Sequence, residues 1–178
     1  MKAVIFDMDG VVSDTQKYQA EAESKLLLRS GIHMSPDEIT AKYAGVSDYE
    51  WFKDMFAQAG QPVDLKKIVR EKWKIVFEIA TGRIQPIKGA TALIKNLKEK
   101  GFPLAIASAS AKPFINLVMK ELSLENVFDV LVSSTEVAKG KPAPDIFLLA
   151  AEKLGVAPLD CVVIEDGIKG MEAAKTPA

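Results

Sequence analysis

The sequence predicts a doubly wound α/β fold, a parallel sheet with helices on both faces, with a small all-helical domain inserted after the first strand. Three observations predict it. Short β-branched apolar runs alternate with helical patterns in the second half of the chain, helical patterns alone fill the stretch between the first such run and the second, and every run is followed directly by a polar segment.

Ala3 to Phe6 reads AVIF, a run of the kind found in a parallel strand covered on both faces. From about Gln16 to Gly82 the periodicity is helical throughout. Tyr18, Ala22 and Leu26 share one face, Phe52, Met55, Phe56 and Ala59 a second, and Ile68, Val69, Trp73, Val76 and Ile79 a third. Two capping boxes, Ser35 with Glu38 and Ser47 with Glu50, mark helix starts here; in each, hydroxyl and carboxylate reciprocally satisfy free backbone donors. Strand-like runs return at Leu104 to Ala107, Val130 to Val132 and Val162 to Ile164. The helical patterns between them are bounded by Gly101, Gly155 and the prolines Pro113 and Pro144, both placed as first helical residues. A helical stretch as long as the early one is no simple crossover. The expected division is residues 1–14 and 83–178 for the α/β core and 15–82 for a helical cap domain.

Composition bounds the function. A chain of 178 residues with 48% hydrophobic content can bury a substantial core. With 23 Lys+Arg against 24 Asp+Glu, it lacks the basic footprint of a nucleic-acid binder or of a protein drawn to membrane surfaces. No stretch approaches the roughly 20 apolar residues of a membrane span, and Asp7 interrupts the N-terminal apolar run before it could serve as a secretory signal. A cytoplasmic, monomeric protein with neither a nucleic-acid nor a membrane partner is expected. Cys161 and His33 are the only residues of their types, so an ordinary Cys/His zinc site is excluded and any metal must be held by oxygen.

Candidate chemistry gathers at the strand ends, where open α/β sheets bind ligands. Asp7 and Asp9 follow the first strand and, two apart in extended chain, point the same way, while Met8 turns inward. After the second comes SASAKP, in which Ser108 and Ser110 offer hydroxyls ahead of a helix whose first N–H groups are free to meet an anion. After the third comes SSTEVAKGKPAPD, where Pro142 biases Lys141 to extended geometry. After the fourth come Glu165 and Asp166. Each segment alone reads equally well as turn or cap chemistry; four together are harder to dismiss. If the ends converge, the four carboxylates crowd one crevice, where two charges about 4 Å apart repel by roughly 4 kcal/mol at an effective dielectric near 20. A divalent cation resolves this, and hard oxygen ligands beside a phosphate site favour Mg²⁺. With Lys141 it would neutralise a phosphoryl group, which describes a phosphoryl-transfer site.

In this order and spacing DMDGV, SAS, GKPAPD and IEDG resemble the four motifs of the haloacid dehalogenase superfamily over nearly the whole chain. Within it the chain is most similar to the β-phosphoglucomutase-like phosphatases, which also carry a helical cap after the first strand. The resemblance implies a Rossmann-like core and Mg²⁺-dependent hydrolysis of a small phosphorylated metabolite, a sugar phosphate or similar monoester. Asp7 would be the nucleophile that forms an aspartyl-phosphate, and Asp9 the general acid and base, its main-chain carbonyl also ligating Mg²⁺. Ser108, the amide of Ala109 and Lys141 would bind the phosphoryl oxygens, Asp166 the metal, and Glu165 would support it. Thr15, at the hinge, would couple cap closure to Asp9, and Lys112 would extend the phosphate site. As aligned, the mutase carries a histidine where this chain has Gln19, and an arginine gripping a second phosphate where it has Asp48. An acid there repels a second phosphate, so hydrolysis is expected ahead of the alternative, β-phosphoglucomutase-type intramolecular transfer. Asp48, Tyr49 and Trp51 are expected to face the substrate.

Three rivals differ in class. A haloacid dehalogenase proper lacks the second aspartate and needs no magnesium, against Asp9 and the Glu165/Asp166 pair. A receiver-like phosphoacceptor module has no long helical insert, and a silent scaffold on this fold is expected to have lost part of the site. In the family the segment after EDGIKGMEAAK leads into a further strand and helix; TPA follows here, so a shortened chain with an unpaired sheet edge is expected.

Overall fold

The computed structural model describes residues 1–175. Four parallel strands, β1 (Ala3–Phe6), β2 (Leu104–Ser108), β3 (Val130–Ser133) and β4 (Cys161–Ile164), form one sheet in the order β3-β2-β1-β4. Phe6 of β1 is in register with Ile106 on one side and Ile164 on the other. The strand order therefore reverses beside β1, and the crevice that such a reversal opens lies where Asp7 and Glu165 leave the sheet. β2 and β3 each run one residue past the apolar runs that predicted them, and β4 begins one residue before its own.

Alternation along the strands feeds two cores. Val4, Phe6, Leu104 and Ile106 face one side with α5 (Ala90–Glu99) and α6 (Lys112–Glu121), while Ile5, Ala105, Ala107 and Val132 face the other with α7 (Asp145–Leu154) and α8 (Ile168–Lys175). Pro113 is the second residue of α6 and Pro144 the N-cap of α7, each one position from the helix start expected of it.

Between β1 and β2 come α1 (Gln16–Arg29), α2 (Pro36–Tyr43), α3 (Asp48–Gln58) and α4 (Leu65–Ala80), with a third core of their own around Leu27, Ile39, Trp51 and Phe52. The insert is not insulated from the rest. Tyr18, Ala22, Val76 and Ala80 belong to the sheet-side core, and Trp73 and Phe77 pack on Phe114 of α6 with ring centroids 5.2 and 5.7 Å away. The chain enters and leaves the insert side by side, Asp14 N–H donating to Gln85 and Ile87 N–H to Val12. The Ser35 capping box is complete, but Ser47 forms only half of one. Its hydroxyl accepts from Glu50 N–H and donates to the Glu50 carboxylate, but that carboxylate does not accept from the N-cap amide. Among the described residues β4 pairs only with β1; the expectation about the chain end falls on residues 176–178, outside them.

Candidate active site

Asp7 leaves β1 with its N–H donating to the Ile164 carbonyl at 2.9 Å, which seats it against the end of β4. The next residues fold back tightly: Val12 and Ser13 N–H both donate to the Met8 carbonyl, and Gly10 takes φ +91°. Glycine is required at that point twice over. The φ is left-handed, and a Cβ would lie 2.1 Å from Asp166 Oδ2. Gly170 plays a similar part on α8, where a Cβ would lie 1.9 Å from Glu165 Oε2.

Three carboxylates meet here. Oxygens of Asp7, Glu165 and Asp166 lie within 4.8 Å of one another, and Lys141, 2% exposed, donates to Asp7 Oδ1 at 2.5 Å and Glu165 Oε2 at 2.7 Å. Glu165 also accepts from the N–H groups of Asp166 and Gly167. Burial pushes the Asp7 carboxyl up to about 7; Lys141 opposes that rise, and Glu165 and Asp9 add to it. Burial, with the Glu165 charge, also holds Asp166 above the usual range. Lys141 is raised although burial alone would lower it, because Asp7 and Glu165 flank it. One lysine faces three acids, so the donor set itself favours an added hard cation.

The fourth carboxylate behaves differently. Asp9 is enclosed by hydrogen-bonding groups, Thr15 (2.5 Å) and Gln19 (2.7 Å) on one oxygen, Ser110 (2.8 Å) and Ser108 (3.2 Å) on the other. Thr15 is the N-cap of α1, yet its hydroxyl caps no backbone N–H there. It is turned to Asp9 and to Ser13 at 2.7 Å. A residue type normally held by its helix is used to position an acid instead.

A cavity of about 30 Å³ lies between the sheet and the insert, with Asp7, Asp9 and Asp166 on the sheet side and Glu23, Asp48 and Lys72 on the helical side. Ala109 also lines it. Two expectations are corrected. Lys112 does not extend toward this cavity; its ammonium is drawn to the Leu131 carbonyl and to Glu136, an acid that Lys153 also pairs. Of the three residues expected to face the substrate, Tyr49 is 45% exposed and absent from the cavity wall, whereas Trp51, stacked on Phe52 at 4.2 Å, and Asp48 line it.

The site also contains residues that sequence reasoning missed. Ser110 reads in the sequence only as a hydroxyl near a helix start, and Gln19 only as a departure from a relative. Glu23 and Lys72 give no signal as site residues, although each interrupts an apolar helical stripe, Lys72 between Ile68 and Val76 and Glu23 beside Ala22 and Leu26.

An α/β sheet with an acid-lined crevice at the reversal of its strand order defines the class, a doubly wound protein with its candidate site on the strand ends. A family model described as haloacid dehalogenase-like hydrolase matches residues 1–176, and the chain belongs to that family. It is 34% identical over 180 residues to a phosphorylated carbohydrates phosphatase of Thermotoga maritima, covering 99% of this chain and 81% of that protein. It is 31% identical over 185 residues to a β-phosphoglucomutase of Bacillus subtilis, covering 99% and 80%. A crystal structure of β-phosphoglucomutase from Clostridium difficile superposes with a TM-score of 0.85 at 27% identity, covering 98% of this chain and 80% of that one.

Proposed function

We propose that this hydrolase is a phosphatase that cleaves a small phosphate monoester, a sugar phosphate or similar metabolite, through an aspartyl-phosphate on Asp7. The observation that carries the proposal is the pairing of two acids with opposite surroundings. Asp7 stands against a lysine and two further carboxylates, and Asp9, two residues on, is enclosed by hydroxyls and an amide. In the first step an Asp7 oxygen forms a bond to phosphorus as the ester P–O bond breaks, and Asp9, having first taken up a proton from solvent, gives it to the leaving oxygen. In the second, Asp9 takes a proton from water as that water bonds to phosphorus and the Asp7–P bond breaks. Lys141, Ser108 and the Ala109 amide would hold the phosphoryl oxygens. Asp7, Asp166 and the Asp9 carbonyl, supported by Glu165, would hold Mg²⁺. When bound, Mg²⁺ supplies positive charge against which phosphoryl charge develops.

The helical insert, residues 15–82, would act as a cap. The 30 Å³ cavity is on the scale of a single water, so a sugar phosphate requires the insert to swing on the paired segments around Asp14 and Gln85. Intramolecular transfer, as in the β-phosphoglucomutases, is the weaker reading, since it needs a site for a second phosphate on the helical side, where Asp48 and Glu23 already engage Lys72. Phosphate release from sugar phosphates should require Mg²⁺, stop on chelation, and fall at least about a thousandfold in Asp7→Asn. Turnover that survives chelation, or an active Asp7→Asn, contradicts the proposal.

A further inference from the structure

The helical side of the cavity holds a buried polar group that the hydrolytic steps do not use. Lys72 is 1% exposed, and its ammonium has three donors. All three are taken, by Glu23 Oε1 at 2.7 Å, by Asp48 Oδ1 and by Gln19 Oε1 at 3.0 Å. Burial raises the Glu23 carboxyl to about 7, against the pull of Lys72. In either protonation state of Glu23 the group carries no net positive charge. A second feature points to a ligand: Trp51, 2% exposed and in the cavity wall, has an indole N–H with no hydrogen-bond partner among the described residues. That N–H is turned toward Glu23 and opposes its raised pKa, but stops short of hydrogen-bond geometry.

We infer that Glu23 and Asp48 determine substrate class by neutralising Lys72, so that the helical wall accepts an uncharged, hydroxyl-bearing leaving group and rejects a second phosphate or a carboxylate. This rests on the hydrolase reading above. A hydroxyl both donates and accepts, so it can donate to the free lone pairs of Glu23 or Asp48 and accept from the Trp51 indole. A second anion only accepts. It would find one indole N–H, no free ammonium donor and two carboxylates, and little water to screen them.

The test compares kcat/KM for a hexitol monophosphate, a hexose bisphosphate and p-nitrophenyl phosphate in the Mg²⁺-loaded wild type, the Glu23→Gln/Asp48→Asn double amide and Trp51→Phe. The wild type should favour the monophosphate over the bisphosphate by about tenfold or more, and the double amide, which leaves Lys72 with no facing carboxylate, should move that ratio at least about tenfold toward the bisphosphate. Trp51→Phe should lower kcat/KM for the hexitol ester more than for p-nitrophenyl phosphate, which has no hydroxyl to place. Circular dichroism shows whether the double amide is folded before its ratio is read, and Trp51→Phe with the wild-type ratio tests the inference without it. A wild type that takes the bisphosphate as readily, or a ratio unmoved in a folded double amide, overturns this inference and leaves the hydrolase standing. A wild type inactive on every ester overturns both.

Discussion

On the sheet side of the cavity, Asp7, Glu165 and Asp166 stand one or two residues beyond a strand, whereas the helical side draws Gln19, Glu23, Asp48 and Lys72 from three helices. Gln19 and Lys72 touch across 53 positions of sequence. The two walls face the same space but are specified differently. On the sheet side a residue's place is fixed by local geometry, because a parallel strand delivers the residues after it to one edge. On the helical side it depends only on how helices pack.

The sheet wall is most vulnerable at the tight turn after β1. Gly10→Ala would drive a Cβ into Asp166 Oδ2, and we expect phosphate release to fall about a hundredfold with weakened Mg²⁺ affinity. Gly60→Ala, also at a left-handed φ (+64°) but with nothing within 4 Å of the added carbon, should cost only about 1 kcal/mol and leave activity intact. Equal losses of activity in both would show that the close approach to Asp166 does not matter. The helical wall should respond in stability. Lys72→Met leaves Glu23 and Asp48 buried without their cation, and thermal unfolding should report a loss of about 3 kcal/mol. The smallest effect belongs to a feature outside both walls: Ser35→Ala, which removes the complete capping box of α2, should cost about 1 kcal/mol and leave kcat/KM unchanged.

Legibility in the sequence divides along the same line. All four strands, their parallel arrangement and the helical insert can be read, since apolar runs and 3.6-residue periodicity are local properties. So can Asp7, Asp9, Ser108, Lys141 and the Glu165/Asp166 pair as a converging set, because each ends a strand, directly follows one or sits in the segment after it. Lys112 misleads because sequence order places it beside SAS while the Glu136 carboxylate and the Leu131 carbonyl draw it away. Glu23 and Lys72 are not legible at all: each passes for one polar residue on an apolar face until its partner arrives from another helix. Thr15 lies between these cases. Its position at a helix start is readable, but the diversion of its hydroxyl from capping to Asp9 is visible only in three dimensions.

The mechanism stands or falls on phosphorus being bonded for a time to an oxygen of Asp7. The decisive measurement is the configuration of the inorganic thiophosphate released from an isotopically chiral thiophosphate ester hydrolysed in oxygen-labelled water. Two successive in-line displacements, first by Asp7 and then by water, predict net retention. Net inversion would mean that water attacks the ester directly, with no bond from Asp7 to phosphorus.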